Sequence, residues 1–156
     1  MQISDLIRPD KIKCFVNISS KKRLLDELSV LLSEGTSELS QVEIFDSLVS
    51  RERLGSTGLG HGVAIPHGRM KVLKTPLCAF VKLDEGTEFD SPDNVPVDLL
   101  FALIVPEEST EQHLQLLATI AEMFSDPALC RAIRGSKECA DIYNLLTNWE
   151  EKRKTA

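Results

Sequence analysis

This chain has no run of about eighteen uninterrupted apolar residues, so no helix long enough to span a bilayer is expected. It is also short of positive charge: 18 Lys and Arg stand against 24 Asp and Glu, a net charge of −6. Binding nucleic acid through its phosphates, or docking on an anionic membrane, needs clustered basic residues, so neither partner is expected. The four cysteines, Cys14, Cys78, Cys130 and Cys139, form no CxxC pair. Cys14 and Cys78 sit in apolar runs, where cysteine behaves as a small hydrophobe. No disulfide framework is expected, and a reduced, cytoplasmic setting fits. The opening "MQISDLIRPD" lacks the basic-then-apolar pattern of a signal peptide. No GxxxxGKS or GxxxxGKT loop is present, which removes the usual motif for nucleotide phosphates.

What is present suits one soluble domain of 156 residues, 42% hydrophobic and 27% charged. "KIKCFV" reads as a short strand. "SKKRLLDELSVLLSEG" reads as a helix capped by Ser20 and ended by Gly35, with a leucine stripe facing inward. Ser40 and Glu43 form a capping box for a second helix that turns Ile44, Leu48 and Val49 inward. "LCAFVKL" and "VDLLFALIV" are strands, the latter apolar enough to be buried on both faces. Ser109 and Gln112 can box a third helix whose apolar face is Leu114, Leu117, Ala118, Ala121 and Phe124. Asp126-Pro127 opens a short fourth helix, and "KECADIYNLLTNW" is the last. The fold class is α/β: a single domain over residues 1–150, with a sheet covered by helices, then a loose charged tail over 151–156.

Histidine is scarce, three in the whole chain, yet two lie within "LGHGVAIPHGR", Leu59 to Arg69. Imidazole is a neutral nucleophile available near pH 7. Pro66 restricts the backbone before His67, and Gly68 lets a second molecule come close. Gly58, Gly60 and Gly62 could offer bare N–H groups to an anion. Arg51 and Arg53 lead into this segment, and an arginine fork suits phosphoryl oxygens; Arg53 reads more as a surface cation. His113 sits near a helix start, where an anion is favoured. A held, exposed histidine with these neighbours suits receipt of a phosphoryl group. The plain alternatives are a structural loop histidine at His67, a solvent-facing His113 and an ordinary helix cation at Arg51.

"RERLGSTGLGHGVAIPHGR" resembles the active-site segment of the IIA phosphocarrier domains of the bacterial phosphotransferase system, in the mannitol/fructose/nitrogen family. "FDSPDNVPVDLLFALIVP" and "HLQLLATIA" are similar to that family's next two signatures, in order, and the likeness covers residues 5–147. The resemblance implies a mixed β-sheet sandwiched between α-helices and a histidine phosphotransferase activity in a relay. It implies phosphorylation of His67, on its tele nitrogen, with His113 as second active-site histidine and Arg51 binding phosphoryl oxygens. The chain is most similar to the nitrogen-related branch. That implies an HPr-like donor (NPr), no cofactor and no metal, and regulatory targets such as sensor kinases or potassium transporters. One departure is His61, where relatives often carry asparagine.

Ser56 and Thr57 are candidates for a phosphate loop. Leu54, Leu59, Val63 and Met70 are candidates for an apolar rim on which the donor docks. Three other functions compete: a sugar-specific IIA component passing phosphate to a IIB partner, a purely regulatory binding module, and a zinc site built from His61, His67 and His113.

Overall fold

The computed structural model describes residues 2–108 and 110–155. Along the chain run β1 (Ile12–Phe15), α1 (Lys21–Ser33), α2 (Gln41–Arg53), β2 (Gly58–Gly60), β3 (Val63–Ala64), β4 (His67–Met70), β5 (Leu77–Thr87), β6 (Val97–Pro106), α3 (Thr110–Phe124), α4 (Pro127–Arg134) and α5 (Ala140–Thr155). Among the described residues the strands form one mixed sheet in the order β1-β5-β6-β3-β2, with β4 also paired to β6. β6 runs antiparallel to β5 but parallel to β3 and β4.

β6 is the axis of the molecule. Side chains alternate across a strand, so an all-apolar strand must find cover on both faces. Leu99, Phe101, Leu103 and Val105 enter one core with Leu116, Ile120 and Met123 of α3, Ile133 of α4, and Ile142 and Leu146 of α5. Val97, Leu100, Ala102 and Ile104 enter the other with the leucine stripe of α1 and with Ile44 and Leu48 of α2. Phe124 stacks on Phe80, ring centroids 5.6 Å apart, across the first interface. The sheet is therefore sandwiched between two helical layers, the α/β architecture expected from the sequence.

Local signals hold at most helix ends. Ser20 Oγ accepts from Arg23 N–H at 3.1 Å, and the Ser40–Glu43 box is formed from both sides. Asp126 caps α4 ahead of Pro127. Gly35 follows α1 at φ +84°. The box expected at Ser109 and Gln112 lies outside the described residues.

Three expectations need correction. The inward stripe of α3 is His113, Leu116, Ile120, Met123 and Phe124; Leu114 and Ala118 are exposed. Two stripes, one residue apart, have similar apolarity, and the sheet selects the one that includes His113. Next, residues 151–155 are not loose: α5 runs on to Thr155. Its last turns are held because Glu150, buried, accepts from the N–H groups of Ile3 at 2.6 Å and Ser4 at 3.0 Å, while Arg153 pairs with Glu122 at 2.8 Å. Finally, Cys14 is an exposed free thiol on the edge strand, whereas Cys78 is buried. Burial of its sulfur, then the neighbouring Cys139 thiol, still pushes Cys14 up to about 12.

Candidate active site

His67 is the first residue of β4, and its backbone pairs opposite Leu103 in the middle of β6. The position is set by two close fits. Leu103 N–H donates to Pro66 O at 3.0 Å, which ties the residue before the histidine to the central strand. Gly68 lies against Ser47 of α2, with no room for a side chain between them. The imidazole is half-buried rather than freely exposed. It forms part of the wall of a cavity of about 380 Å³, whose lining also includes Ser47, Arg51, Leu54, Arg69, His113 and Leu114. Larger grooves of about 820 and 740 Å³ lie elsewhere, and no histidine lines either one.

The ring orientation follows from one bond. His67 Nδ1 lies 2.8 Å from the carbonyl oxygen of Ile65. A carbonyl can only accept, so Nδ1 carries the proton and Nε2, the tele nitrogen, keeps its lone pair. Burial lowers the ring's basicity below the usual histidine value; the bond to Ile65 opposes this, and the charge of Arg51 adds to the lowering. The neutral, nucleophilic form is thereby favoured near pH 7.

Three further groups share the cavity. Arg51, in the last turn of α2, donates from Nη1 to Gly55 O at 2.9 Å, which leaves other guanidinium N–H groups for an anion. His113 is 4% exposed, and its Nδ1 is buried without a hydrogen-bond partner among the described residues. Burial, with help from the Arg69 charge, lowers its pKa too. A buried, unpaired ring nitrogen in a cavity it shares with a second imidazole is costly unless a ligand satisfies it. Arg69 completes the group. With Arg51 it gives the cavity two cations and, among the described residues, no lining carboxylate, a setting suited to a doubly charged anion.

Residues 5–149 match the family described as "Phosphoenolpyruvate-dependent sugar phosphotransferase system, EIIA 2". The chain belongs to the EIIA 2 family. It is a phosphotransferase-system IIA phosphocarrier, a member of a phosphotransfer relay. It is 38% identical to the "Nitrogen regulatory protein" of Escherichia coli (strain K12), over 96% of this chain and 92% of that one. The nitrogen regulatory protein IIA-Ntr of Neisseria meningitidis superposes with a TM-score of 0.85 at 40% identity, covering 92% of this chain and 98% of that one. The mannitol IIA of Escherichia coli shares the fold at 18% identity, with a TM-score of 0.72 over 90% of this chain and 98% of that one. That mannitol protein has also been solved in complex with phosphorylated enzyme IIB.

The EIIA 2 fold thus gathers His67, Arg51 and His113, which lie far apart in the chain. It does not gather the other candidates in the same way. Ser56 Oγ donates to Phe89 O at 3.0 Å and accepts from Gly58 N–H, and Thr57 donates from both N and Oγ1 to Glu52. Both hydroxyls are spent on the loop's own structure, and neither residue lines the cavity. Gly58 to Ala64 fold into the β2–β3 hairpin, and Gly58, Gly60 and Gly62 are not in the lining of the His67 cavity. Gly62, at φ +81°, is needed where the Arg134–Asp98 ion pair fills the space of a side chain.

Of the rim candidates, Leu54 is 84% exposed at the cavity and Leu59 is 44% exposed outside its lining. Met70 is half-buried against the α1–α2 core. Val63 is 2% exposed, paired with Leu99, and cannot dock anything. Sequence reasoning passed over Leu114, which is 62% exposed at the cavity and was assigned to the core face of α3. It also passed over Arg69, although the "PHGR" spacing places that cation two residues from the histidine. Arg53 faces the 820 Å³ groove instead. His61 lines cavities with Arg134, apart from the other two histidines. Among the described residues no three His, Cys, Asp or Glu side chains gather into a metal-binding group.

Proposed function

We propose that this EIIA 2 protein is a nitrogen-related phosphocarrier acting in the cytoplasm. His67 takes a phosphoryl group on Nε2 from an HPr-like donor (NPr), and the two phosphorylation states bind regulatory targets differently. Sensor kinases and potassium transporters are the classes of target expected. The observation that carries this reading is the Nδ1–H bond to the Ile65 carbonyl, which presents Nε2 as the nucleophile.

The step balances without a cofactor. The Nε2 lone pair attacks phosphorus as the donor's P–N bond breaks, and that electron pair stays with the donor's nitrogen. Arg51 and Arg69 compensate the charge on the phosphoryl oxygens, and His113 offers its ring to the same group. The product adds negative charge beside the exposed leucines Leu54 and Leu114, so a partner resting on that rim meets a different surface before and after transfer.

The test is mass spectrometry after incubation with phosphoenolpyruvate and the upstream carriers. A labile phosphate on the Gly62–Arg69 peptide, lost in His67→Ala, is expected. Phosphate retained by His67→Ala would overturn the assignment. Capture of candidate targets by wild type, His67→Ala and His67→Asp reads the switch, and equal capture by all three would exclude it. Transfer from the loaded protein to a sugar-type IIB would favour the sugar-specific alternative.

A further inference from the structure

Beside Arg51, in the same last turn of α2, Glu52 points inward. Its side chain is 4% exposed and meets three donors: Thr57 N–H at 2.8 Å, Thr57 Oγ1 at 2.6 Å and Lys21 Nζ at 3.1 Å. Lys21 in turn sits 4.7 Å from the centre of the Phe89 ring and 3.4 Å from Asp90 Oδ2. Ser56 is tied to the Phe89 carbonyl. The start of α1 and the connection to β2 therefore meet at a carboxylate from the end of α2, and the stretch after β5 is joined to it through Lys21 and Ser56.

A buried carboxylate is tolerated only when its lone pairs are well satisfied, and replacing such a cluster with apolar groups is often neutral for stability. Its place one residue from Arg51, which lines the His67 cavity, suggests another use. The Gly55–Thr57 connection spans from the helix end to β2, and the Gly55 carbonyl is the group that holds the Arg51 guanidinium. The Glu52 side chain holds Thr57 by two bonds, and Gly55 N–H donates to the Glu52 backbone carbonyl at 3.2 Å, so the connection that presents the Gly55 carbonyl to Arg51 is tied to the helix end on both sides.

We infer that Glu52 is a positioning residue for phosphoryl transfer: through Thr57 it fixes the Gly55 carbonyl, and through that carbonyl the cation that meets the phosphoryl oxygens at His67. The inference rests on the function proposed above. Glu52 itself touches no reacting atom.

Phosphoramidate serves as a small donor that needs no docking partner. Nε2 of His67 attacks its phosphorus, the P–N bond breaks, and the departing nitrogen takes up a proton to leave as ammonia. The rate is read by intact-mass spectrometry for wild type, Glu52→Gln, Thr57→Val, Thr57→Ser, Arg51→Ala and the Glu52→Gln/Arg51→Ala double variant, each with its melting temperature. Glu52→Gln and Thr57→Val are expected to slow loading by about ten- to a hundredfold, the cost of a displaced catalytic group. Thr57→Ser, which keeps both donors, stays near wild type. The double variant is no slower than Arg51→Ala alone, because both changes remove one function. A wild-type rate in Glu52→Gln, or a loss that multiplies with that of Arg51→Ala, overturns the inference. If Glu52→Gln does not fold, the Thr57→Val and Thr57→Ser pair decides in the same way. A wild-type chain that takes no phosphate on His67 overturns the functional reading itself, and this inference with it.

Discussion

Gly68 and Ser47 touch backbone to side chain: a methyl group on Gly68 would collide with Ser47 Oγ, Cβ and the adjoining backbone of α2. Ser47 Oγ also donates to the carbonyl of Arg69 at 3.3 Å, so the helix holds β4 at this contact and at the next residue. The closeness matters because Arg51 lies one turn further along α2 and His67 one residue back along β4. The spacing of His67 and Arg51 is set by how near helix and strand approach.

Gly68→Ala should therefore damage the site more than the fold. Overpacking of this kind costs about 1–3 kcal/mol, a shift in melting temperature of several degrees for a domain of this size. Loading of His67 should fall by at least tenfold, since the helix must back away with Arg51. Gly68→Ala combined with Ser47→Gly makes room again and should recover much of the rate. Phosphoramidate loading with parallel thermal melts checks both.

The two cavity histidines make stability pH-dependent, and the sign follows from burial. Both have folded-state pKa values below the ordinary histidine value. Above about pH 6.5 each ring is neutral folded or unfolded, and the contribution is fully present. As pH falls below that, the unfolded chain binds protons that the folded chain resists, so stability drops until the folded-state values are passed. Denaturant titrations from pH 8 to pH 5 should show the loss setting in near 6.5. His67→Gln/His113→Gln should flatten that part of the profile, and an unchanged slope would count against both assignments. The same depression should hold the loading rate level from pH 8 to below 6.5.

The sheet, the helix order and the setting of His67 were legible in the sequence because each rests on a local signal. β6 announces itself by seven consecutive apolar residues, Leu99 to Val105, α2 by its Ser40–Glu43 box, and His67 by the Pro and Gly on either side. What was illegible depends on relations between segments. The choice between two α3 stripes is made by the sheet, and it decides that His113 is buried while Leu114 is exposed. The hydroxyls of Ser56 and Thr57 looked free because Phe89 is distant in sequence and Glu52's inward turn leaves no trace in composition. The end of α5 looked loose because its anchor is the backbone of Ile3, at the other end of the chain.

The exchange of Leu114 for Val63 on the rim leads to opposite outcomes for two truncations. Val63→Ala removes buried methyl groups from the core beside Leu99 and should cost about 2 kcal/mol, with no selective loss of donor binding. Leu114→Ser and Leu54→Ser should leave the melting temperature within about 2 °C, as exposed substitutions do. Both should weaken transfer from a protein donor while leaving phosphoramidate loading intact, since the small donor needs no rim. Comparing the two donors across the three variants separates docking from chemistry.

His61 supplies the last prediction, because the turn it occupies asks for a backbone conformation that few side chains favour. It sits at φ +56°, in the left-handed region that Asn and His enter more readily than most residues. Its N–H donates to Asp93 Oδ2 at 2.8 Å and its carbonyl accepts from Arg134 at 2.8 Å, so the position is held by main chain on both sides. The conformation, not the imidazole, is what this turn requires. His61→Asn should keep the melting temperature within about 2 °C. His61→Val, branched at Cβ, should lose roughly 1–2 kcal/mol. Both should load His67 at the wild-type rate, since His61 lines other cavities. A selective loss of loading in His61→Asn, with stability unchanged, would instead place this imidazole in the relay.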